Sequence, residues 1–200
     1  SVLKFDFSRI EVDPLGNLVM EDEAIVGEAL PIAQAVRNHG GIVIAQAAKV
    51  LDQPAQPHNV RVPGVLIDHV VIADPHEHEQ TFGDPYNPAF CTAPERGEST
   101  MTPEPMPPGA RRIICARACE ELPIGGIVNL GIGMPEGIAR IAGERGLLDQ
   151  VTLTVESGPI GGMPAGGLSF GASLHPHAIV DQPSQFDFYD GGGLDFAALG

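Results

Sequence analysis

The sequence predicts an α/β fold, because helical and extended segments alternate along the chain. In residues 23–38 the apolar side chains recur three to four positions apart, which indicates an amphipathic helix that ends at Gly40. The segments 41–45 and 65–73 are β-branched runs with few charges, typical of strands that are covered on both faces. Helices that alternate with such strands favour mostly parallel sheets flanked by helices.

A proline-rich segment divides this pattern into two parts. Residues 91–109 contain five prolines and show no hydrophobic periodicity, so we interpret them as a linker between a first domain, 1–90, and a second domain, 110–200. The chain begins at Ser1 and ends after 194–199, a segment with helical character. We therefore expect it to be an internal piece of a longer protein.

The second part repeats the alternation of helix and strand. We predict helices at 110–122 and 136–146 and strands at 126–130 and 151–155. A tight turn, 131–135, follows the first of these strands, and Glu156 ends the second. Open α/β sheets bind ligands at the carboxyl edge of their strands, so the turn and the glutamate define a candidate site.

The composition excludes several kinds of partner. The formal net charge is −15, so the surface potential repels the phosphates of nucleic acids and anionic lipid headgroups. No apolar run approaches the roughly 18 residues of a membrane-spanning helix. The three cysteines lack a CxxC spacing, which favours reduced thiols, and we interpret Cys115 and Cys119 as small hydrophobic residues of a helix. We therefore expect a cytoplasmic protein that binds neither nucleic acid nor membranes.

The glycine-rich segment 155–171 contains the strongest candidate for a chemical role. Glycine loses more conformational entropy on folding than other residues, so its density here indicates that a ligand or a backbone approaches closely. Glu156 has two interpretations from spacing alone. It is a helix cap or surface charge, or it is a nucleophilic carboxylate exposed on a strained turn.

Three motifs occur in order along the second half of the chain. They are VNLGIGMPE at 128–136, ESGPIGGMP at 156–164 and FDFYDGGGL at 186–194. In this combination the sequence resembles the family I CoA-transferases, in particular the acetate/propionate type in which two halves are fused. The likeness extends upstream through 13–17, 41–46, 62–65 and 86–88. It implies parts of two similar CoA-transferase domains, the C-terminal part of the first at 1–90 and the N-terminal part of the second, with the nucleophile, at 110–200.

The resemblance implies a ping-pong transfer of CoA between a short-chain acyl-CoA and a carboxylate. A glutamate that matches Glu156 attacks the thioester, and a glutamyl-CoA thioester forms by way of a mixed anhydride. Coenzyme A is then a substrate, and neither a tightly bound cofactor nor a metal ion is required. The family also implies a homo-oligomer and a place in short-chain fatty acid and ketone-body metabolism. Two alternatives stay open: an acyl-CoA hydrolase that uses the same glutamate, and a CoA-binding fragment without turnover.

Backbone groups of several glycines are candidates for contacting the substrate. In the predicted turn, Gly131 is a candidate CoA contact and the N–H of Gly133 a candidate oxyanion donor, with a packing turn as the alternative. The candidates for the narrow pantetheine arm of CoA are Gly161, Gly162, Gly166, Gly167 and Gly192. The glycines at 191–193 have the alternative role of joining a strand to a helix, and 186–189 is interpreted as strand core rather than as a platform for adenine. No residues are assigned to the phosphates of CoA.

Two pairs of histidines have a spacing that is found in some zinc sites. His76 lies two residues before His78, and His175 two residues before His177. Neither pair has a third ligand at a recognisable spacing, so we predict no metal site.

The sequence departs from the family pattern at two points. It contains no Gly-Gly-Phe loop, which in the fused enzymes is associated with the other wall of the acyl pocket and with a side-chain oxyanion donor. The resemblance therefore implies that both lie outside these residues. The nucleophile motif reads Glu-Ser-Gly where ketoacid-specific relatives have Ser-Glu-Asn-Gly, which favours acetyl, propionyl or acetoacetyl groups.

Overall fold

The computed structural model of the protein describes residues 9–94 and 105–200. The middle of the predicted linker, 95–104, lies outside the described residues. The described part of the chain contains four α-helices, α1 at Ala29–Asn38, α2 at Ala110–Cys119, α3 at Glu136–Glu144 and α4 at Gln182–Asp190. Its strands are β1 at Glu11–Val12, β2 at Leu18–Val19, β3 at Ile44–Ala47, β4 at Lys49–Val50, β5 at Val60–Val62, β6 at His69–Ile72, β7 at Ile127–Leu130, β8 at Thr152–Thr154, β9 at Pro159–Ile160, β10 at Met163–Pro164, β11 at Ser173–Leu174, β12 at Ala178–Ile179 and β13 at Phe196–Ala198.

A five-stranded sheet in the second half of the chain positions the candidate site. Its strand order is β12-β9-β8-β7-β13. Strand β7 pairs in parallel with β8 on one side, where Asn129 lies opposite Thr154, and with β13 on the other. Strands β9 and β12 continue the sheet in antiparallel pairs. The carboxyl ends of β7, β8 and β13 therefore lie at one edge.

An apolar core joins this sheet to α2 and α3. It includes Cys115, Val128, Ile138 and Leu153. Cys115 and Cys119 are 0% and 2% exposed, which confirms that they pack as small hydrophobic residues. Burial raises the pKa of both thiols, so they are protonated at neutral pH. Fully burying one aliphatic side chain of this core stabilises a fold by about 2 kcal/mol.

The first half of the chain forms two small sheets and the helix α1. One sheet has the order β4-β1-β2-β5, and the other pairs β3 with β6 in parallel. The turn that the sequence indicates at 13–17 is present, since the Asp13 carboxylate accepts the backbone N–H groups of Leu15 and Asn17 at 2.9 Å each. A second core forms here from side chains of α1 and the strands, among them Ile10, Leu18, Ala33, Val43 and Val62.

The α/β class is confirmed, but the sheets are mixed where we expected mostly parallel pairing. Parallel pairs are β1 with β4, β3 with β6, β7 with β8, and β7 with β13. The other pairs are antiparallel. The reason at β8 is the short connection at 155–158, because parallel neighbours need a crossover of about a dozen residues or more.

Two segments adopt a different structure from the one predicted, and one of them is 194–199, which contains strand β13 in place of the start of a helix. Residues 186–189, predicted as strand core, lie in α4. A strong helix start overrides their alternating pattern: the Asp181 carboxylate accepts the N–H of Ser184 at 2.9 Å, and Pro183 lies in the first turn.

Two elements of the first half are shorter than predicted. The helix predicted at 23–38 begins only at Ala29. The strand predicted at 65–73 is reduced to β6, in which Val71 and Ile72 are each 51% exposed. Within the described residues, β6 is therefore not covered on both faces.

The two halves of the chain contact each other through a small shared core and a polar cluster. Phe90 is 2% exposed and packs with Ala24 from the first half and with Ala165 and Ala172 from the second. Nearby, the hydroxyl of Ser169 bonds that of Thr81 at 2.9 Å and donates to Asp84. The assignment of 1–90 and 110–200 to two domains stays a prediction.

Candidate active site

Glu156 lies at the tip of the hairpin that joins β8 to β9. The N–H of Gly158 donates to the carbonyl of Val155 at 3.0 Å, and that of Val155 to the carbonyl of Pro159 at 2.9 Å. These bonds make Glu156 and Ser157 the central residues of a tight turn. Gly158 has a φ of +127°, and a Cβ there would lie 2.0 Å from the carbonyl oxygen of Val180, so only glycine fits.

The Glu156 side chain is half-buried. Among the described residues, no hydrogen bond or ion pair holds its carboxylate. The neighbouring Ser157 hydroxyl instead donates to the carbonyl of Gly171, which fastens the tip of the turn to the loop between β10 and β11. The backbone around the carboxylate is thus held in place, while its oxygens have no partner in the described part of the chain.

Strand register places the turn 131–135 beside Glu156. Asn129 lies opposite Thr154 at the end of the β7–β8 pairing, so the turn 131–135 begins two residues after one strand end and Glu156 lies two residues after the other. The N–H of Gly131 donates to the carbonyl of Ala198 in β13 at 2.9 Å. The predicted glycine turn and the predicted nucleophile therefore share the carboxyl edge of the sheet.

The N–H of Gly133, predicted as the oxyanion donor, is engaged inside the protein. It donates to Oε1 of Glu136 at 2.9 Å, while the carbonyl of Gly133 accepts from Arg111. By contrast, the N–H groups of Ile132 and Met134 have no acceptor among the described residues. These two N–H groups of the same turn belong to exposed residues.

Glu136 is a residue of the site that has no assigned role in the sequence-based predictions. It lies at the first position of α3 and connects two glycine segments, since its Oε2 lies 3.1 Å from where a Cβ of Gly166 would be. The sequence feature that could have indicated this role is the position of Glu136 in the first turn of a predicted helix, three residues after Gly133. An acidic side chain at such a position reaches back to free backbone N–H groups.

Besides Gly131, two of the predicted CoA-contacting glycines lie at the same edge as Glu156. Gly166 lies beside Glu136, and Gly167 follows it in the loop between β10 and β11. Gly167 has a φ of +61° and open space where a Cβ would be. Because Ser157 holds the other end of this loop at Gly171, the loop borders the tip of the hairpin.

The other predicted glycines lie away from this edge. Gly161 bonds back to Leu153 at 2.7 Å, about 10 Å along the hairpin from its tip. A Cβ at Gly161 would lie 2.4 Å from Nδ1 of His177, and one at Gly162 would lie 2.1 Å from the carbonyl oxygen of Leu174. The chain itself thus occupies the side of each glycine on which a Cβ would lie. Gly192 precedes β13 and lies at the amino edge of the sheet.

Cavities between described residues lie along the contact between the two halves. One of about 220 Å³ lies at the amino end of β8 and is lined by Gly161, Gly162 and His175. A second, of about 330 Å³, is lined by Glu23 and Cys91, and a third, of about 370 Å³, by Phe90, Ala165 and Gly166. Glu156 lines none of these three cavities.

The histidine pairs do not form a metal centre within the described residues. No three His, Cys, Asp or Glu side chains of 9–94 and 105–200 are grouped so that they could hold a metal ion. His175 contacts the carbonyl of Thr92 at 3.2 Å, and His78 is buried. In the same part of the chain, no helix is long and apolar enough to cross a membrane.

Known proteins with similar sequences are CoA-transferases. No family model matches the chain. It is 41% identical over 190 residues to a caffeate CoA-transferase of Acetobacterium woodii and 41% identical over 188 residues to the acetate CoA-transferase YdiF of Escherichia coli O157:H7. Each match covers 94% of this chain but only 36% and 35% of the relative. The chain thus spans about a third of the length of these relatives.

Two solved structures have the same fold. The apoenzyme of the acyl-CoA transferase YdiF from E. coli O157:H7 matches with a TM-score of 0.81 and 38% identity, over 98% of this chain and 35% of that one. A thioester complex of that transferase with CoA matches with a TM-score of 0.79 and 36% identity over the same shares. Over nearly its whole length the chain is thus similar in sequence and fold to part of the CoA-transferases, and the resemblance seen in its sequence is confirmed.

Proposed function

We propose that this protein transfers coenzyme A between a short-chain acyl-CoA and a carboxylate, with Glu156 as the residue that carries CoA. The observation behind this proposal is the half-buried carboxylate at the tip of the β8–β9 turn, which has no hydrogen-bond partner among the described residues. Such a group needs no base and is free to attack an electrophilic carbon. Relatives that are named acetate and caffeate CoA-transferases support the same activity.

The first half of the proposed reaction moves CoA onto the protein. An oxygen of Glu156 adds to the thioester carbonyl, the C–S bond breaks, and CoA leaves as its thiolate. The product is a mixed anhydride of the acyl group and Glu156. The thiolate then attacks the glutamyl carbonyl and releases the acyl group as a carboxylate, which leaves a glutamyl-CoA thioester. An incoming carboxylate reverses these steps and departs as the new acyl-CoA.

Each addition places negative charge on a carbonyl oxygen, so the site needs hydrogen-bond donors. One well-placed donor lowers the activation free energy by about 3 kcal/mol. We propose the N–H groups of Ile132 and Met134 for this role, because they lie in the turn beside Glu156 and have no acceptor among the described residues. The N–H of Gly133 joins them only when Glu136 releases it.

Contacts with the rest of CoA follow from the positions of the glycines. We propose that the pantetheine arm passes the loop at Gly166 and Gly167 and lies beside Gly131. A further contact with Gly161 and Gly162 requires the ligand to extend about 10 Å along the hairpin, and one with Gly192 requires it to reach the opposite edge of the sheet. Backbone with little side-chain cover suits a narrow, flexible ligand arm.

The finer features of the function are proposals as well. We propose acetyl, propionyl and acetoacetyl groups as the short-chain substrates, a role in short-chain fatty acid and ketone-body metabolism, and a homo-oligomeric protein of the cytoplasm. The three free cysteines, two of them buried, support a reducing compartment. Acetate and caffeate differ in size, and both name relatives of this chain, so the substrate tests should include an aromatic acid.

The proposal is tested by trapping the covalent intermediate in the complete gene product. The enzyme is incubated with acetyl-CoA and treated with borohydride, which reduces a glutamyl thioester to an alcohol. The mass of the peptide that contains residue 156 is then measured by mass spectrometry. We expect the change in mass at Glu156 only when acyl-CoA is present, together with loss of activity. Glu156→Ala should abolish turnover, whereas Glu121→Gln, an exposed glutamate just after α2, should leave it unchanged.

Exchange of label separates the transferase from its alternatives. A transferase moves label from acetate into acetyl-CoA, whereas a hydrolase releases acetate without exchange. A CoA-binding protein without turnover would show neither exchange nor a mass change at residue 156. Near-wild-type turnover of Glu156→Ala would overturn the assignment of this residue.

A further inference from the structure

At the ends of the strands that lead to Glu156 and to the turn 131–135, three polar side chains meet at the hydroxyl of Tyr189. The hydroxyl accepts from Nε2 of Gln185 at 2.7 Å and from Nδ2 of Asn129 at 3.2 Å, and it donates to Oγ1 of Thr154 at 2.8 Å. Asn129, Thr154 and Gln185 are 3%, 1% and 1% exposed. The cluster therefore joins α4 to the two parallel strands β7 and β8 in the interior of the protein.

The hydrogen bonds of this cluster have one direction. A phenolic hydroxyl has one proton and two lone pairs, and both lone pairs of Tyr189 receive amide protons. In this arrangement its own proton goes to Thr154, whose hydroxyl donates to the carbonyl of Val128 at 3.1 Å, while Oε1 of Gln185 has no partner among the described residues. Buried groups in such a chain hold each other firmly, because a broken bond leaves a polar atom without a partner.

The cluster fixes the strand end from which Glu156 extends. Thr154 is the last residue of β8, two positions before Glu156, and its carbonyl also accepts from Nδ2 of Asn129 at 3.3 Å. Asn129 is two positions before Gly131 in β7. Tyr189 thus connects the two strands whose ends carry the nucleophile and the proposed oxyanion donors.

We propose that Tyr189 is a positioning residue for the Glu156 carboxylate. The inference rests on the proposed function. It gives a role to part of the motif at 186–194, whose first residues were predicted to be strand core and lie in α4. The hydroxyl ties the side chains of Asn129 and Thr154, at the ends of the paired strands β7 and β8, to α4. Without it, the strand ends that carry the Glu156 carboxylate and the turn at 131–135 are held less firmly, and a misplacement of about 1 Å at reacting atoms costs about 100-fold in rate.

The test compares the only two tyrosines of the chain, each changed to phenylalanine in the complete gene product. Tyr189→Phe should lower kcat for CoA transfer by about 10- to 100-fold and leave KM for acyl-CoA within about twofold, because the arm contacts other residues. Tyr86→Phe removes the same hydroxyl from a bond to Asp22 in the first half and should leave both constants unchanged. The rates are expressed per folded molecule, so that a loss of stability alone does not lower them.

A second pair of variants tests the same chain of hydrogen bonds at Thr154. Thr154→Ser keeps the hydroxyl and should keep kcat, whereas Thr154→Val removes it and should lower kcat as Tyr189→Phe does. Combining Thr154→Val with Tyr189→Phe should lower kcat no further than either change alone, since the two hydroxyls act as one unit.

The outcomes separate this inference from the proposed function. If Glu156→Ala is inactive while Tyr189→Phe transfers CoA at the wild-type rate per folded molecule, the positioning role is overturned and the nucleophile stands. An equal loss in Tyr86→Phe, or additive losses at positions 154 and 189, would also overturn it. If Glu156→Ala is active, the proposed function itself fails.

Discussion

Glu23 gives the sharpest prediction for stability. It is 3% exposed, and its Oε1 has no hydrogen-bond partner among the described residues. Burial raises the pKa of this carboxyl from 4.5 to about 8, against the opposing effect of bonds from the backbone of Arg9 and Ile10. At neutral pH the folded protein therefore holds a proton on Glu23 that the unfolded chain has lost.

The sign of the pH dependence follows from this difference. Below pH 4.5 the carboxyl is protonated in both states and adds no pH dependence. Between pH 4.5 and about 8 the folded state binds one proton more than the unfolded state, so the free energy of unfolding falls as pH rises. The full shift corresponds to a loss of about 5 kcal/mol in the free energy of unfolding between pH 4.5 and about 8.

Substituting Glu23→Gln removes the ionisation and keeps the shape of the side chain. We expect the variant to match the wild type near pH 4.5 and to exceed its stability by several kcal/mol at pH 8, about 5 at most. Urea unfolding of both proteins at half-unit steps from pH 4.5 to about 9 measures the difference. Glu21→Gln, a neighbouring exposed position, is the control and should show a constant difference. If the Glu23→Gln and wild-type curves run parallel across this range, the reasoning about burial is wrong.

Two further predictions concern stability. Hydrogen bonding by Arg112 and by the N–H of Met106 lowers the pKa of Glu144 from 4.5 to about 2. The contribution of Glu144 to the free energy of unfolding is therefore present above pH 4.5 and is lost as pH falls towards 2. Glu144→Gln should weaken the pH dependence of unfolding in this window, and an unchanged acid transition would contradict this. Gly162→Ala should destabilise the fold by about 3 kcal/mol, because its φ is +69° and the Leu174 carbonyl occupies the place of the Cβ. Gly167→Ala is the control, with a φ of +61° and open space at the Cβ, and should cost about 1 kcal/mol. Equal Tm shifts in the two variants would show that the close contact at Gly162 has no effect.

Much of the fold was predictable from local patterns. The helix at α3, the strands β7 and β8 and the burial of Cys115 follow from the spacing of apolar residues, which local sequence encodes directly. The prediction for 186–189 was wrong, because the cap at Asp181 decides the start of a helix there and the alternation of side chains does not. The antiparallel pairing of β8 with β9 was not predicted, because residues 155–158 were interpreted as the end of a parallel strand and form a tight turn instead.

The candidate site was predictable in its residues more than in its arrangement. Glu156 and the turn at 131–135 were found because each follows a predicted strand, and parallel register brings them together. The glycines at 161–162 were grouped with them only by nearness in sequence, and the hairpin carries them away from its tip. Glu136 was missed because its role depends on the backbone geometry of two loops.

Taken by itself, the order of residues determined the α/β class, the acidic surface, the resemblance to the CoA-transferases and the glutamate at a strand end. These depend on composition, periodicity and short motifs, all of which are properties of neighbouring residues. Only the tertiary structure decided which backbone N–H groups stay free for a ligand, since the acceptor of Gly131 lies far along the chain at Ala198. The same holds for the hydroxyl of Tyr189, whose partners come from three separate elements, because hydrogen bonds between distant segments form only once the sheet is assembled.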